Sequence, residues 1–322
     1  MRILITGTAG FIGHHTSIAL AREGHKVLGI DNINDYYSVA LKEARLVENG
    51  KEGVDFRKVE LGNLPEVEQV FRDFEPELVL HLAAQAGVRY SLINPHAYIH
   101  SNIVATMNIL ECCRHFGKPR LVYASSSSVY GGLTHMPFSV EDRVDTPISL
   151  YAATKKSNEL MAHTYTHLYE MQTIGLRFFT VYGPWGRPDM AMWLFCDAIM
   201  GNKPIKVFNH GDMFRDFTYV DDIVAGIKAC LFTDGLNPYE VFNLGNNRTE
   251  ELMRLIQLIE QELGREAEKT FLPMQDGDVK ATYADIDISR QKLGYDPKTP
   301  IDVGVPRFIE WFKAHPEFHT KA

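Results

Sequence analysis

The stretch ILITGTAGFIG, Ile3 to Gly13, decides how this chain folds. Branched apolar residues give way to three glycines spaced three apart, and the apolar spacing that follows is helical. A strand feeding a glycine turn and then a helix lets the backbone approach a pyrophosphate, and the helix amino terminus favours the negative charge. A lone glycine triplet means little, because turns use glycine anyway. This one has its context: the next strand, KVLGID, ends at Asp31, 18 residues past Gly13.

Outward from that unit the pattern repeats. Strand-like runs (RILIT, KVLGID, DFRKVE, LVLHLAA, RLVYAS, TIGLRFF) alternate with helical ones such as HHTSIALAREG and HAYIHSNIVATMNILECCRHFG up to about Phe179. Such alternation predicts an α/β fold, a Rossmann-like doubly wound parallel sheet with helices on both faces. Beyond it come the loop-rich TVYGPWGRPDMAMW, a short strand at IKVF, a helix in DDIVAGIKACLF, the strand VFNLG and a helix at TEELMRLIQLIEQELG. The expected division is residues 1–180 as a dinucleotide-binding domain and 181–322 as mainly a smaller mixed α/β substrate lobe, with some segments returning to the first.

The 322 residues are 45% hydrophobic and 23% charged, an ordinary globular composition. With 33 Lys+Arg against 41 Asp+Glu the net charge is −8, which argues against a nucleic-acid or anionic-membrane surface. Cys112, Cys113, Cys196 and Cys230 form no CxxC pair and no zinc-type spacing, so free or buried thiols in a reducing cytoplasm are expected, and no metal. A strand begins at once with no basic leader, and no apolar run reaches membrane-spanning length, so neither export nor anchoring is expected.

Gly7, Gly10 and Gly13, with Phe11 and Ile12 between them, are the candidate pyrophosphate turn. Asp31 can accept both ribose hydroxyls of an adenosine and would repel a 2′-phosphate, which favours NAD over NADP. Asn32 follows it into the same site. The plainer alternative is a surface Asp opening the turn DNIND. His14 and His15 are read as helix-face or core residues.

Two further stretches carry chemistry. YASSSSVYG, Tyr123 to Gly131, lines up hydroxyls at a strand's carboxyl end, where ligands of open α/β sheets bind. LYAATKKSNE places Tyr151 and Lys155 four apart on one helix face. A tyrosine with an ordinary pKa of about 10 needs help to act as a base near neutrality, and a nearby ammonium favours phenolate. YxxxK alone is common by chance; with the glycine turn, Asp31 and the serines it is not.

This combination resembles the extended short-chain dehydrogenase/reductase family, specifically its nucleotide-sugar epimerases and dehydratases, over nearly the whole chain. The matching stretches are TGTAGFIG, DNINDYY, HLAAQAGVRYS, YASSSSVYG, YAATK, LRFFTVYGPWGRPDM, RDFTYVDDI and GDV, of which GPWGRPDM is the most specific. The resemblance implies that Gly7, Gly10 and Gly13 hold the pyrophosphate of NAD and Asp31 the adenosine ribose. It further implies that Ala83, Ala84 and Gln85 line the cofactor, that Asn102 touches it and that Lys155 reaches the nicotinamide ribose. Ser126 then hydrogen-bonds the reacting hydroxyl and Tyr151 is the base. On the substrate side Arg215 meets the nucleotide diphosphate and Asp278 its ribose, with Met190 of GPWGRPDM also on the substrate and Arg89 near the sugar or capping a helix. Where the family often has an Asp-rich turn after the third strand, this chain reads VELGN, putting Glu60 and Leu61 near the adenine.

Dehydratases of this family carry an Asp-Glu pair after the catalytic Ser/Thr; here those positions are Ser127 and Ser128. The likeness is nearest to epimerases acting at C4 of a UDP-linked uronate. It implies interconversion of UDP-glucuronate and UDP-galacturonate through a 4-keto intermediate, with transient hydride transfer to bound NAD. Ser127, Ser128, Thr180 and Arg187 would then grip the sugar carboxylate. The bland alternative is that the serines satisfy backbone groups and Arg187 pairs with Asp189. A UDP-glucose or UDP-N-acetylglucosamine 4-epimerase, and an NAD-sensing regulator without activity, are the competing functions. A homodimer is expected from the resemblance, through helices near Ala97 to Phe116 and Tyr151 to Tyr169. The spacing of Ile103, Met107 and Leu110 suits that packing or packing on the sheet.

Overall fold

The protein was analysed as a computed structural model, which describes residues 1–275 and 277–319. Six strands arise in the expected places: β1 (Arg2–Thr6), β2 (Lys26–Asp31), β3 (Asp55–Lys58), β4 (Leu78–His81), β5 (Arg120–Ser126) and β6 (Thr173–Phe178). A seventh, Tyr239–Leu244, pairs in parallel with β6. It extends one sheet in the order (Tyr239–Leu244)-β6-β5-β4-β1-β2-β3, so the second half of the chain completes the sheet begun by the first. All its pairings are parallel.

Strand order reverses between β1 and β4, and at such a switch point the connecting loops diverge and leave a crevice above the carboxyl ends. Alternation along each strand feeds two cores. Ile3, Ile5, Val27 and Leu80 face one side, while Leu4, Leu28, Ile30 and Val79 face the other. The helices α1 (Phe11–Arg22), α2 (Val39–Lys51) and α3 (Leu64–Phe74) follow the first three strands. Each buried Leu, Ile or Val contributes about 1.5–3 kcal/mol, which is why the pattern is nearly continuous in the central strands. β3 is shorter than the DFRKVE run: it is the edge strand, paired on one side, and its side chains stay largely exposed.

The long helix expected over HAYIHSNIVATMNILECCRHFG is broken. Short turns at Tyr90–Ile93 and Pro95–Tyr98 lead into a π-helical segment, Ile99–Val104, and only Ala105–His115 is regular. Pro95 restarts the helix beneath an Asn94 side-chain cap, and the wide segment carries Asn102. Leu110 packs into the core beneath the sheet. All four cysteines are buried free thiols. Among the described residues no helix is long and apolar enough to cross a membrane.

Candidate active site

One crevice above the β1–β4 switch point collects most of the residues singled out by sequence. β1 ends at Thr6 and the chain turns at Gly7 with φ +77°. A Cβ on Gly7 would lie 2.7 Å from the Ala83 nitrogen, and one on Gly13 2.1 Å from the Gly7 oxygen, so only glycine lets the turn fold back on itself. Helix α1 opens at Gly10 with no side-chain cap and no acidic residue in its first turn. Its amide donors are therefore left for an anion, as a dinucleotide pyrophosphate requires.

Asp31 closes β2 against this turn, accepting from the Ile33 nitrogen (2.8 Å) and the Ala9 nitrogen (3.2 Å). Burial pushes its pKa up, partly offset by those bonds and by Lys42 and Arg45. Asn32 donates to Glu60, which also accepts from the Gly62 nitrogen. Burial opposes ionisation of Glu60, but the bonds from Asn32 and Gly62 outweigh it and hold the carboxyl below its ordinary value. Phe11, Ile12, Leu61, Ala83, Ala84 and Gln85 complete this wall.

Asn102 stands behind the wall. Its carboxamide accepts from the Gln85 nitrogen (2.8 Å) and donates to the Gln85 oxygen (3.1 Å) and the Thr154 hydroxyl (3.0 Å). The loop after β4 is thereby clipped to helix Leu150–Tyr169.

That helix starts at a Ser149 cap, whose hydroxyl accepts from the Ala152 nitrogen, and presents Tyr151, Lys155 and Glu159 on successive turns of one face. Tyr151 stands against Ser126 at the end of β5; burial raises its pKa, while the Ser126 hydroxyl and the Arg187 charge pull it down. Lys155 donates from Nζ to the Ala124 oxygen (2.9 Å), and burial lowers its pKa to about 8. Beneath it, Glu159 accepts two bonds from Arg177 (2.8 and 2.9 Å) and one from Ser125 (2.7 Å). This buried pair locks the helix to β5 and β6.

Arg187 and Met190 form the opposite wall. Burial alone would lower the Arg187 pKa, but its ion pair with Asp189 more than reverses that. Asp189 also accepts from the Tyr36 hydroxyl (3.0 Å), whose pKa burial and Asp189 push up to about 12. Thr180 lies with Arg187 and Met190 on a smaller adjoining crevice. Ser127 and Ser128 form the half-buried turn after β5, where the Ser128 nitrogen donates to Ser126 Oγ, and neither is among the residues lining the main crevice.

Arg89, Arg215 and Asp278 gather apart from the main crevice. Arg89 is paired with Asp278 (3.0 Å) and lies over the Phe208 ring. Arg215 donates to the Phe214 and Lys280 oxygens, and burial lowers its pKa, with Asp278 opposing and Arg89 adding to the shift. One guanidinium over an aromatic ring, with a second in electrostatic reach of the same Asp278 carboxylate, suits a nucleoside diphosphate. Sequence reasoning gave no role to Asn34, Tyr36, Tyr37 and Lys42, which line the crevice from the β2–α2 loop. The signal was present in DNINDYY, whose aromatic pair is unusual in a polar turn.

Residues 3–245 match the model of the NAD dependent epimerase/dehydratase family. The chain is 54% identical to Protein CapI of Staphylococcus aureus, across 97% of this chain and 98% of that protein. It is 44% identical to UDP-glucuronate 4-epimerase 4 of Arabidopsis thaliana, across 99% of this chain and 77% of that one. The structure of the UDP-glucuronic acid 4-epimerase from Bacillus cereus, in complex with UDP-glucuronic acid and NAD, superimposes with a TM-score of 0.92 at 34% identity, covering 98% and 99% of the two chains. These likenesses run over nearly the whole chain, and the chain belongs to the NAD dependent epimerase/dehydratase family of extended short-chain dehydrogenases/reductases.

Proposed function

We propose that the protein is a UDP-glucuronate 4-epimerase. The observation that carries this is the charge of the cavity: among its described lining residues the carboxylates are Asp31 and Glu60, both at the cofactor end, while the end bearing Tyr151 and Ser126 has two cations, Lys155 on the catalytic face of its helix and Arg187 on the wall across from it. A uronate carboxylate fits there without like-charge repulsion. NAD fits the other end, where Gly7 and Gly13 admit no side chain and the uncapped start of α1 awaits an anion. When bound, NAD supplies a hydride acceptor that returns the hydride, so net redox is zero.

Tyr151 takes the C4 hydroxyl proton and later gives it back. The Ser126 hydroxyl and the Arg187 charge favour its phenolate, and Lys155, one helical turn on, is anchored on the Ala124 oxygen with its ammonium in the same dry site. Loss of hydride from C4 leaves a 4-keto uronate, a β-keto acid that loses carbon dioxide once its carboxylate turns perpendicular to the carbonyl. Arg187, itself fixed by Asp189 and Tyr36, restrains that rotation, with Thr180 beside it on the adjoining crevice, whereas Ser127 and Ser128 line neither crevice and take no part in the grip. Binding strength sits in the nucleotide, at Arg215 and Asp278 with Arg89, so the keto sugar can turn its other face.

One observation favours a neutral sugar instead. Arg187 already has a carboxylate partner in Asp189, which leaves fewer of its donors for a substrate anion. Proton NMR of purified protein with UDP-glucuronate, UDP-glucose and UDP-N-acetylglucosamine separates the two. Conversion of UDP-glucuronate alone to UDP-galacturonate, without UDP-pentose, is expected; conversion of only the neutral sugars rejects the uronate. A homodimer through the helices near Ala97 to Phe116 and Tyr151 to Tyr169 fits the exposure of Ile99, Val104, Leu160 and Leu168.

A further inference from the structure

Arg45 of α2 is fully buried, yet no step of this chemistry uses it. Its five hydrogen bonds all go to neutral oxygens. Nη1 donates to the Ala9 oxygen (2.9 Å), inside the glycine turn, and to the Tyr37 hydroxyl (2.8 Å). Nη2 donates to the oxygens of Trp185 (2.6 Å) and Gly186 (2.9 Å), and Nε again to Trp185 (3.1 Å). His15, two residues past Gly13, donates from Nε2 to the Pro184 oxygen (2.8 Å). That oxygen only accepts, so the ring carries its proton on Nε2, and burial keeps it neutral.

Three consecutive carbonyls, those of Pro184, Trp185 and Gly186, are therefore taken by two elements of the cofactor site, and the next residue is Arg187. Trp185 sits at φ +58°, which a bulky side chain holds only when its surroundings impose it. Its ring packs on Trp311 and His315 near the end of the described chain. The turn is thus held from both sides against its own backbone preference.

We infer that Arg45 and His15 are positioning residues that tie the turn carrying Arg187 to the glycine turn, so that filling the dinucleotide site and gripping the sugar strengthen one another. A buried guanidinium bonded only to neutral oxygens is costly to desolvate, and the nearby Asp31 carboxylate offsets only part of that cost. An anion held by the glycine turn offsets that cost and keeps Arg45 on the Trp185 and Gly186 carbonyls, which fixes where Arg187 points. By linkage, a sugar carboxylate on Arg187 must favour the cofactor by the same factor. The inference rests on NAD and UDP-glucuronate sharing this cavity.

The test is equilibrium dialysis of NAD with and without saturating UDP-glucuronate, in a Tyr151→Phe background that stops turnover. UDP-glucuronate is expected to tighten NAD binding about tenfold. Arg45→Met is expected to reduce that factor below about twofold, Arg45→Lys to restore part of it, and His15→Ala to cut it roughly threefold. An Arg45→Met protein with a native near-ultraviolet circular dichroism spectrum and an undiminished factor overturns the inference. If Arg45→Met does not fold, an undiminished factor in His15→Ala does the same. Dialysis of the sugar nucleotide alone separates the two readings: binding without any effect on NAD rejects the coupling, whereas no binding rejects UDP-glucuronate as the ligand.

Discussion

At the cofactor end of the cavity Gly7, Gly10, Gly13 and Asp31 come from one β-α-β unit, 24 positions from first to last, and work through backbone amides and one carboxylate. At the sugar end Ser126, Tyr151 and Arg187 come from a strand, a helix and a loop spread over 61 positions, and work through side chains held by other side chains. The first end is made by local geometry and the second by long-range packing. The two ends should therefore fail separately, except where a shared support is removed.

Tyr151→Phe gives the largest effect. Loss of the base should lower the epimerisation rate about 10²–10⁴-fold while NAD affinity measured without sugar stays within twofold. Residual activity near the wild-type level would remove Tyr151 from the mechanism. Arg177→Met attacks the shared support instead. It leaves Glu159 buried with only the longer Lys156 contact (3.5 Å) for a cation, so urea unfolding should show a loss of about 3–5 kcal/mol. A loss below about 1 kcal/mol would mean that the pair does not lock the catalytic helix.

Single-end variants come next. Arg187→Gln removes a charged donor and should raise the UDP-glucuronate KM by a factor of roughly 10–100, with NAD affinity in the absence of sugar unchanged. An unchanged KM with intact turnover would favour the neutral-sugar reading. Gly13→Ala presses a methyl group against the Gly7 oxygen, a strain of about 1–3 kcal/mol. It should appear as weaker NAD binding and unaltered binding of UDP alone; weaker UDP binding would show that the two ends are not separable.

The same contrast explains what could be read before any coordinates. The sheet followed from apolar runs and the cofactor end from glycine spacing, because both are set by neighbours in sequence. The π-helical segment at Ile99–Val104 did not follow, since it answers to Asn102 bonding the backbone of Gln85 across the fold. Nor did Arg45, whose partners Trp185 and Gly186 lie 140 and 141 positions away. Glu159 was closer to legible: it sits four residues beyond Lys155 on the helix face already singled out, but its partner Arg177 comes from β6. Ser127 and Ser128 were expected to reach the sugar carboxylate because they follow Ser126, yet the turn after β5 leaves both outside the lining of the crevice.

The smallest effect separates the ends by sign. His14, His15 and His81 stand beside the cofactor site, and burial first of all lowers their pKa values to about 3, 4 and 3. Unfolded, each takes up a proton near pH 6.5, so the unfolded state binds more protons below that pH and stability falls as the solution is acidified. Between pH 7.5 and 5.5 each histidine should cost about 1 kcal/mol. Asp216, in the second half of the chain, behaves oppositely. Burial raises its pKa to about 6, above the unfolded value, so acid protonates it in the folded state and relieves up to about 1 kcal/mol over the same interval. Urea unfolding at the two pH values should thus show a net loss on acidification. His81→Gln should remove about a third of the histidine share, and Asp216→Asn should steepen the loss. A slope that His81→Gln leaves untouched would mean that His81 is already protonated in the folded protein, and its bonds to Thr6 and Thr106 would then need two threonine acceptors rather than one.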